Sequence, residues 1–209
     1  MKIKIFDVIL WGFAIVFIGL IFALPETVPI HWNATWEIDG YGSRYSMLIF
    51  AFMPLGIYYL MLLTMNIDPK RKSFYNREKT YHLIRKLLAV LFMIIGIFFY
   101  YMTLNPEFNG TLVMMLLLGI MFIGLGNYMP KVPQNYFLGV KTPWTLANEI
   151  VWKKTNVFGG YTFVIFGLIC IACGLTAFKY SFVVIIAGAI IDCIISYVYS
   201  YYIYKKLGL

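Results

Sequence analysis

Cys170 and Cys173 stand with two residues between them, a C-x-x-C spacing that serves disulfide exchange or half of a zinc site. Both are embedded in FGLICIACGL with no His or second cysteine pair beside them, and Cys193 is also in an apolar run. Packing as small apolar side chains accounts for all three. The sequence holds no glycine-rich phosphate loop, no H-E-x-x-H and no Ser/His/Asp set at one depth. Neither an enzyme nor a cofactor or metal site is expected. Asp192 is the group that stands out. It lies within AGAIIDCIIS, where a carboxylate at the centre of a spanning helix costs about 2.5–3.5 kcal/mol. Small neighbours at Ala187, Gly188, Ala189 and Ser196 let another helix close in around it. Two readings stay open: a neutral carboxyl bonding across a helix interface, or a site that responds to protons or a ligand.

The elements that carry these residues follow from composition. Hydrophobic residues make up 62% of the 209 and charged ones 12%, against about 45–50% and about 25% in soluble proteins. That surplus of apolar side chain must face lipid. A span needs about 20 apolar residues to cross about 30 Å of hydrocarbon. Six runs qualify: 5–24, 45–66, 84–104, 111–128, 157–178 and 181–204. The fold class expected is therefore an all-α integral membrane protein of six transmembrane helices. The first run ends in FALPE without a small-x-small cleavage site, so it is expected to be retained. Segments 1–104 and 105–209 form the N-terminal and C-terminal membrane halves.

The net charge of +8 raises the question of nucleic acid. The basic residues, however, lie in short blocks between apolar runs, a pattern that suits an anionic leaflet, so lipid and not nucleic acid is the expected contact. Of the seventeen Lys and Arg, all but Arg44 and Lys179 fall on one side of the six-span map. The positive-inside rule makes that side, with both termini, cytoplasmic. His31 and His82 then lie on opposite sides and cannot share a metal.

Three connections carry polar information. Segment 25–44, outside, concentrates acidic residues, His31, Trp32 and Trp36, and reads either as a receiving surface or as an interfacial hairpin resting on headgroups. Segment 67–83, inside, is basic and reads as a lipid-attracting loop or a docking site for an acidic partner. Segment 129–156, also inside, holds Pro130, Pro133, Pro143 and Gly139, so its first half cannot be a regular helix. Its Thr145, followed by Asn148 and Glu149, reads as a helix start.

Two of these segments resemble a known family. PIHWNATWEIDGYGSR is similar to the outer signature of the SdpI family, the immunity proteins against the sporulation-delaying-protein toxin. The stretch from Gly126 and Asn127 through KVPQNYFLGVKTPWTLANEIVWKKTN resembles that family's inner signature. The resemblance implies His31, Trp32, Asn33 and Asp39 as residues facing a toxin or ligand. It implies Asn127, Asn135, Gly139, Lys141, Thr142, Pro143, Trp144, Trp152 and Thr155 as the inner, partner-binding motif. The chain departs from the pattern at Trp36, where the family usually has Gly, at Gln134 in place of Pro, at Lys141 in place of Arg and at Asn156 in place of His. The family's properties imply a non-catalytic protein that resists a secreted, membrane-active peptide toxin. They also imply a possible second role, holding a cytoplasmic transcriptional repressor at the membrane. The alternative reading is a small transporter or proton-linked permease.

Overall fold

The computed structural model describes residues 5–74 and 78–209; Lys2, Lys4 and Arg77, counted above, lie outside them. Helix α1 spans Ile5–Ile21, α2 Leu48–Ile67, α3 Glu78–Leu104, α4 Thr111–Tyr128, α5 Pro143–Ala147, α6 Glu149–Leu175 and α7 Ser181–Lys206. Five helical stretches among the described residues are long and apolar enough to cross a membrane: Arg44–Ile67, Glu78–Leu104, Thr111–Lys131, Glu149–Leu175 and Ser181–Lys206. The protein is a multi-pass membrane protein.

The first expected span is shorter than the sequence pattern predicts. Helix α1 has 17 residues, a rise of about 26 Å. It stops before Pro25 because Phe22, Ala23 and Leu24 donate back to Gly19, Leu20 and Ile21 at 3.3, 3.0 and 3.1 Å, tightening the chain into a turn. Its buried residues Leu10, Ala14, Phe17 and Ile21 form a single stripe against the other helices.

Other boundaries move for identifiable reasons. Asn148, not Thr145, starts the fifth span: its Oδ1 accepts from Ile150 N at 2.8 Å and Val151 N at 3.2 Å, so α6 begins at Glu149 instead of 157. Thr145 instead pairs with Thr142 in the short helix α5, which Thr142 caps and Pro143 opens. The third span extends back to Glu78 and carries Arg85 inside the bundle. There Arg85 Nη2 donates to Tyr58 Oη at 3.0 Å, and the guanidinium lies 4.0 Å from the centre of that ring. Arg85, which lies just beyond the basic segment 67–83, is 3% exposed.

Segment 25–44 amends the all-α expectation. It folds as an antiparallel hairpin, β1 (Thr27–Trp32) and β2 (Ile38–Ser43), pairing Thr27 with Ser43 and Trp32 with Ile38. A side chain at Gly40 would lie 2.9 Å from His31 Cβ, so the pairing requires glycine opposite the histidine.

The tightest helix pair is α4 with α6. A Cβ built on Gly126 would fall 2.6 Å from the Gly160 carbonyl oxygen, and one on Gly167 would fall 2.6 Å from the Gly119 carbonyl oxygen. Lipid gives little hydrophobic drive between helices, so small residues that let backbones touch supply dispersion contact instead. This crossing holds the C-terminal half together and fixes the loop between the two helices.

Candidate functional site

The polar residues collect at the two ends of the bundle. At the hairpin end, the five-residue tip is organised by Asn33. Its Oδ1 accepts from Thr35 N at 2.9 Å, Thr35 Oγ1 at 2.8 Å and Glu37 N at 3.0 Å. Its amide donates to Glu37 Oε2 at 3.0 Å, and the Thr35 hydroxyl, its one proton shared with Asn33 Oδ1, lies 3.0 Å from the same oxygen. These bonds, that from Asn33 first and that from Thr35 second, hold the Glu37 carboxyl below the usual carboxylate range. Asn33 therefore builds the tip and is not left free to receive a ligand.

Trp36 has φ 64°, in the left-handed region that favours glycine. The strain is balanced by anchoring: the indole N–H donates to Ser181 Oγ at 2.8 Å, and the ring meets Phe182 edge-on at 6.3 Å. The hairpin tip is thus tied to the start of α7.

His31 and Asp39 sit across the hairpin with Nδ1 and Oδ1 2.5 Å apart. The histidine side chain remains 70% exposed. Trp32 packs on Phe99 of α3 with ring centres 5.2 Å apart. Beside them opens a cleft of about 490 Å³, walled by Ile30, Trp32, Phe50, Phe99 and Phe182 with His31 and Asn33 on its lip. The arrangement offers an apolar slot with a directional imidazole–carboxylate pair at its mouth, able to seat an apolar side chain and bond a polar group next to it.

At the other end, most of the inner motif turns inward. Asn135 is fully buried; its amide donates to the Pro133 and Leu138 carbonyls, both at 2.8 Å, and its Oδ1 accepts from Phe137 N and Leu138 N at 2.8 and 2.7 Å. Gly139 takes φ 115°, and a Cβ there would lie 2.5 Å from Asn156 Oδ1 and 3.0 Å from the Trp152 ring. Asn156 Oδ1 accepts from Val140 N at 3.0 Å, while Trp152 Nε1 donates to the Val132 carbonyl at 3.0 Å. Thr142 Oγ1 reaches Ser200 Oγ on α7 at 3.0 Å. Thr155 is fully buried on α6.

That leaves Lys141 and Pro143 exposed and Trp144 half-buried against Tyr197 and Tyr201, with both pairs of ring centres 5.0 Å apart. Asn127 lies apart from this group, exposed on α4 and donating to the Ile123 carbonyl at 2.9 Å.

Segments 67–83 and 129–156 are far apart in sequence, but hydrogen bonds join described residues of the two. Lys70 Nζ donates to Gln134 Oε1 and, at 3.2 Å, to the Leu146 carbonyl. Ser73 Oγ donates to the Gln134 carbonyl at 3.0 Å. Gln134 Nε2 donates to the Thr145 carbonyl at 2.6 Å. Buried Asp68 accepts from Tyr136 N at 2.9 Å and from Lys70 N at 2.6 Å. The signal available in the sequence was Gln134 itself, a departure from the family pattern that supplies both a donor and an acceptor.

Asp192 is 6% exposed on α7, and its carboxylate Oδ1 has no hydrogen-bond partner, nor does Ser196 Oγ one turn away. Thr162 of α6 stands near the Asp192 carboxyl, its hydroxyl donating to the Gly159 carbonyl at 3.0 Å, and Gly159 of α6 faces Ser196. Asp192 therefore belongs to the α6–α7 interface and reaches neither cluster directly.

Comparison with known proteins places both ends in one lineage. Residues 131–200 match the SdpI/YfhL protein family, and residues 8–55 match a domain of unknown function, DUF1648. The chain is 30% identical over 185 residues to the immunity protein SdpI of Bacillus subtilis (strain 168), covering 88% of this chain and 87% of that relative. No solved structure matches.

Proposed function

Because this chain belongs to the SdpI family, we propose that it is a non-catalytic immunity protein that protects its membrane from a secreted peptide toxin. The toxin is received at the hairpin end. Six crossings, the short α1 included, place that end outside and both termini in the cytoplasm. The inner loops form the cytoplasmic face, where Lys141, Pro143 and Trp144 dock a transcriptional repressor. The observation that carries the reading is the exposed His31–Asp39 pair of the outer signature beside a cleft that its Trp32 walls together with Phe50, Phe99 and Phe182 of the helices.

Toxin survival of a sensitive strain expressing the chain tests the reading, with protection expected and unchanged killing at full accumulation counting against it. Orientation is checked in a variant without its three cysteines. Ala34→Cys and Asn109→Cys are expected to label from outside intact cells, and Lys72→Cys and Lys141→Cys are not. External labelling of Lys72→Cys overturns the map.

A small proton-linked permease is the second reading, favoured by buried Asp192 with its unpartnered oxygen. Asp192→Asn separates the two. The amide keeps the shape and the capacity to hydrogen-bond across the α6–α7 interface, so the expected result is normal accumulation and normal protection, whereas Asp192→Leu accumulates poorly. Loss of protection by Asp192→Asn at normal protein level supports the permease.

A further inference from the structure

The end of the α6–α7 pair nearest the inner loops opens into a cleft of about 930 Å³. Lys153 and Lys154 line it from the first turns of α6 and Lys206 from the last turn of α7. All three are exposed, and Glu149 is the one acidic side chain at the rim, so the mouth is positive. Deeper in, the walls change character. Phe158 stacks on Tyr199 with ring centres 4.1 Å apart and planes 13° from parallel. Tyr161 stands further along α6, about 12 Å beyond Lys153, and is 68% exposed.

The groove therefore runs from ammonium groups at the helix ends, past tyrosine hydroxyls, to an apolar and aromatic floor facing the hydrocarbon region. That is the polarity sequence of a phospholipid, from headgroup to acyl chain. We propose that this cleft is a binding site for an anionic phospholipid, its phosphate held by Lys153, Lys154 and Lys206 and its upper chain laid on Phe158 and Tyr161. Basic pockets between helices at a leaflet surface suit such headgroups, whereas a zwitterionic headgroup brings its own cation and loses most of the attraction. An acidic soluble segment could meet the lysines but has nothing to lay along the lipid-facing half.

The test uses the purified full chain in neutral detergent, titrated with phosphatidylglycerol or chain-matched phosphatidylcholine and followed by native mass spectrometry and thermal stability. Phosphatidylglycerol is expected to stay bound and raise stability, and phosphatidylcholine is not. The triple variant K153Q/K154Q/K206Q is expected to lose retention by roughly tenfold or more, while K153R/K154R/K206R keeps it. A control, R71Q/K72Q/K79Q, removes the same charge from exposed positions elsewhere and is expected to retain lipid as the unmodified chain does. Equal loss in the control means diffuse attraction and overturns the site. So does undiminished retention in the glutamine triple, or equal stabilisation by inorganic phosphate or by an acidic peptide at matched concentration.

Discussion

Gly160→Leu is expected to abolish stable accumulation of the protein. A Cβ at this position would meet the Gly126 carbonyl oxygen at 2.6 Å and the Pro130 ring at 3.2 Å. The first of these is backbone and cannot rotate away, so α4 and α6 must separate. Overpacking costs about 1–3 kcal/mol and occasionally more; against immovable backbone the upper end is expected, roughly a hundredfold in the folding equilibrium constant. The inner loop hangs between the two helices, so its contacts to α7, such as Thr142 to Ser200, are lost with the crossing. Gly126→Leu should behave alike. Gly124→Leu is the control: it lies on the same helix, and a Cβ there meets nothing within 4 Å. Detergent extraction followed by size-exclusion chromatography reads the result. Equal profiles for Gly124→Leu and Gly160→Leu would show that the crossing does not hold the fold.

A division of labour between the two ends gives the second large effect. Trp32→Ala empties one wall of the hairpin cleft and breaks its contact with Phe99; His31→Ala removes the exposed partner of Asp39. Both are expected to lower toxin survival at normal protein level, Trp32→Ala the more, since a buried aromatic anchor at an interface contributes on the order of 2 kcal/mol. Neither should change the membrane-bound fraction of a captured repressor. Lys141→Glu should do the reverse, because Lys141 is exposed and its ammonium donates to the Phe137 carbonyl at 3.1 Å. Trp144→Ala should release the repressor too, but it also unpacks Tyr197 and Tyr201, so Lys141→Glu is the cleaner probe. Measured together, survival and repressor retention must part company. If Lys141→Glu destroys survival at normal accumulation, the inner face takes part in protection and the two ends act as one.

Several polar residues that resemble a binding motif in one dimension turn out to be architectural in three. Asn135, Gly139, Thr142 and Trp152 form or brace the loop between α4 and α6, Thr155 is buried on α6, and Asn33 shapes the hairpin tip. The candidate surface that remains is smaller: His31, Asp39 and the Trp32 edge at one end, and Lys141, Pro143 and Trp144 at the other. A motif that recurs because it builds a turn looks, in sequence, like one that recurs because it binds, since both depend on the same polar atoms.

What the chain's order of residues determined by itself was the membrane character, the placement of the five long apolar helices and the concentration of polar residues in the connections. Each rests on a one-dimensional rule: an apolar run of about 20 residues has only one low-energy environment, and charged side chains are costly within it. The hairpin was not legible as strands because segment 25–44 has glycine at 40 and 42 and no sustained alternation. The burial of Arg85, the joining of the two inner loops and the anchoring of Trp36 were decided only by the tertiary structure. Their partners are far along the chain: Lys70 and Gln134 are separated by 64 positions and Trp36 and Ser181 by 145. No local propensity reports on such a pair, because the hydrogen bond exists only once the helices have brought both side chains to the same end of the bundle.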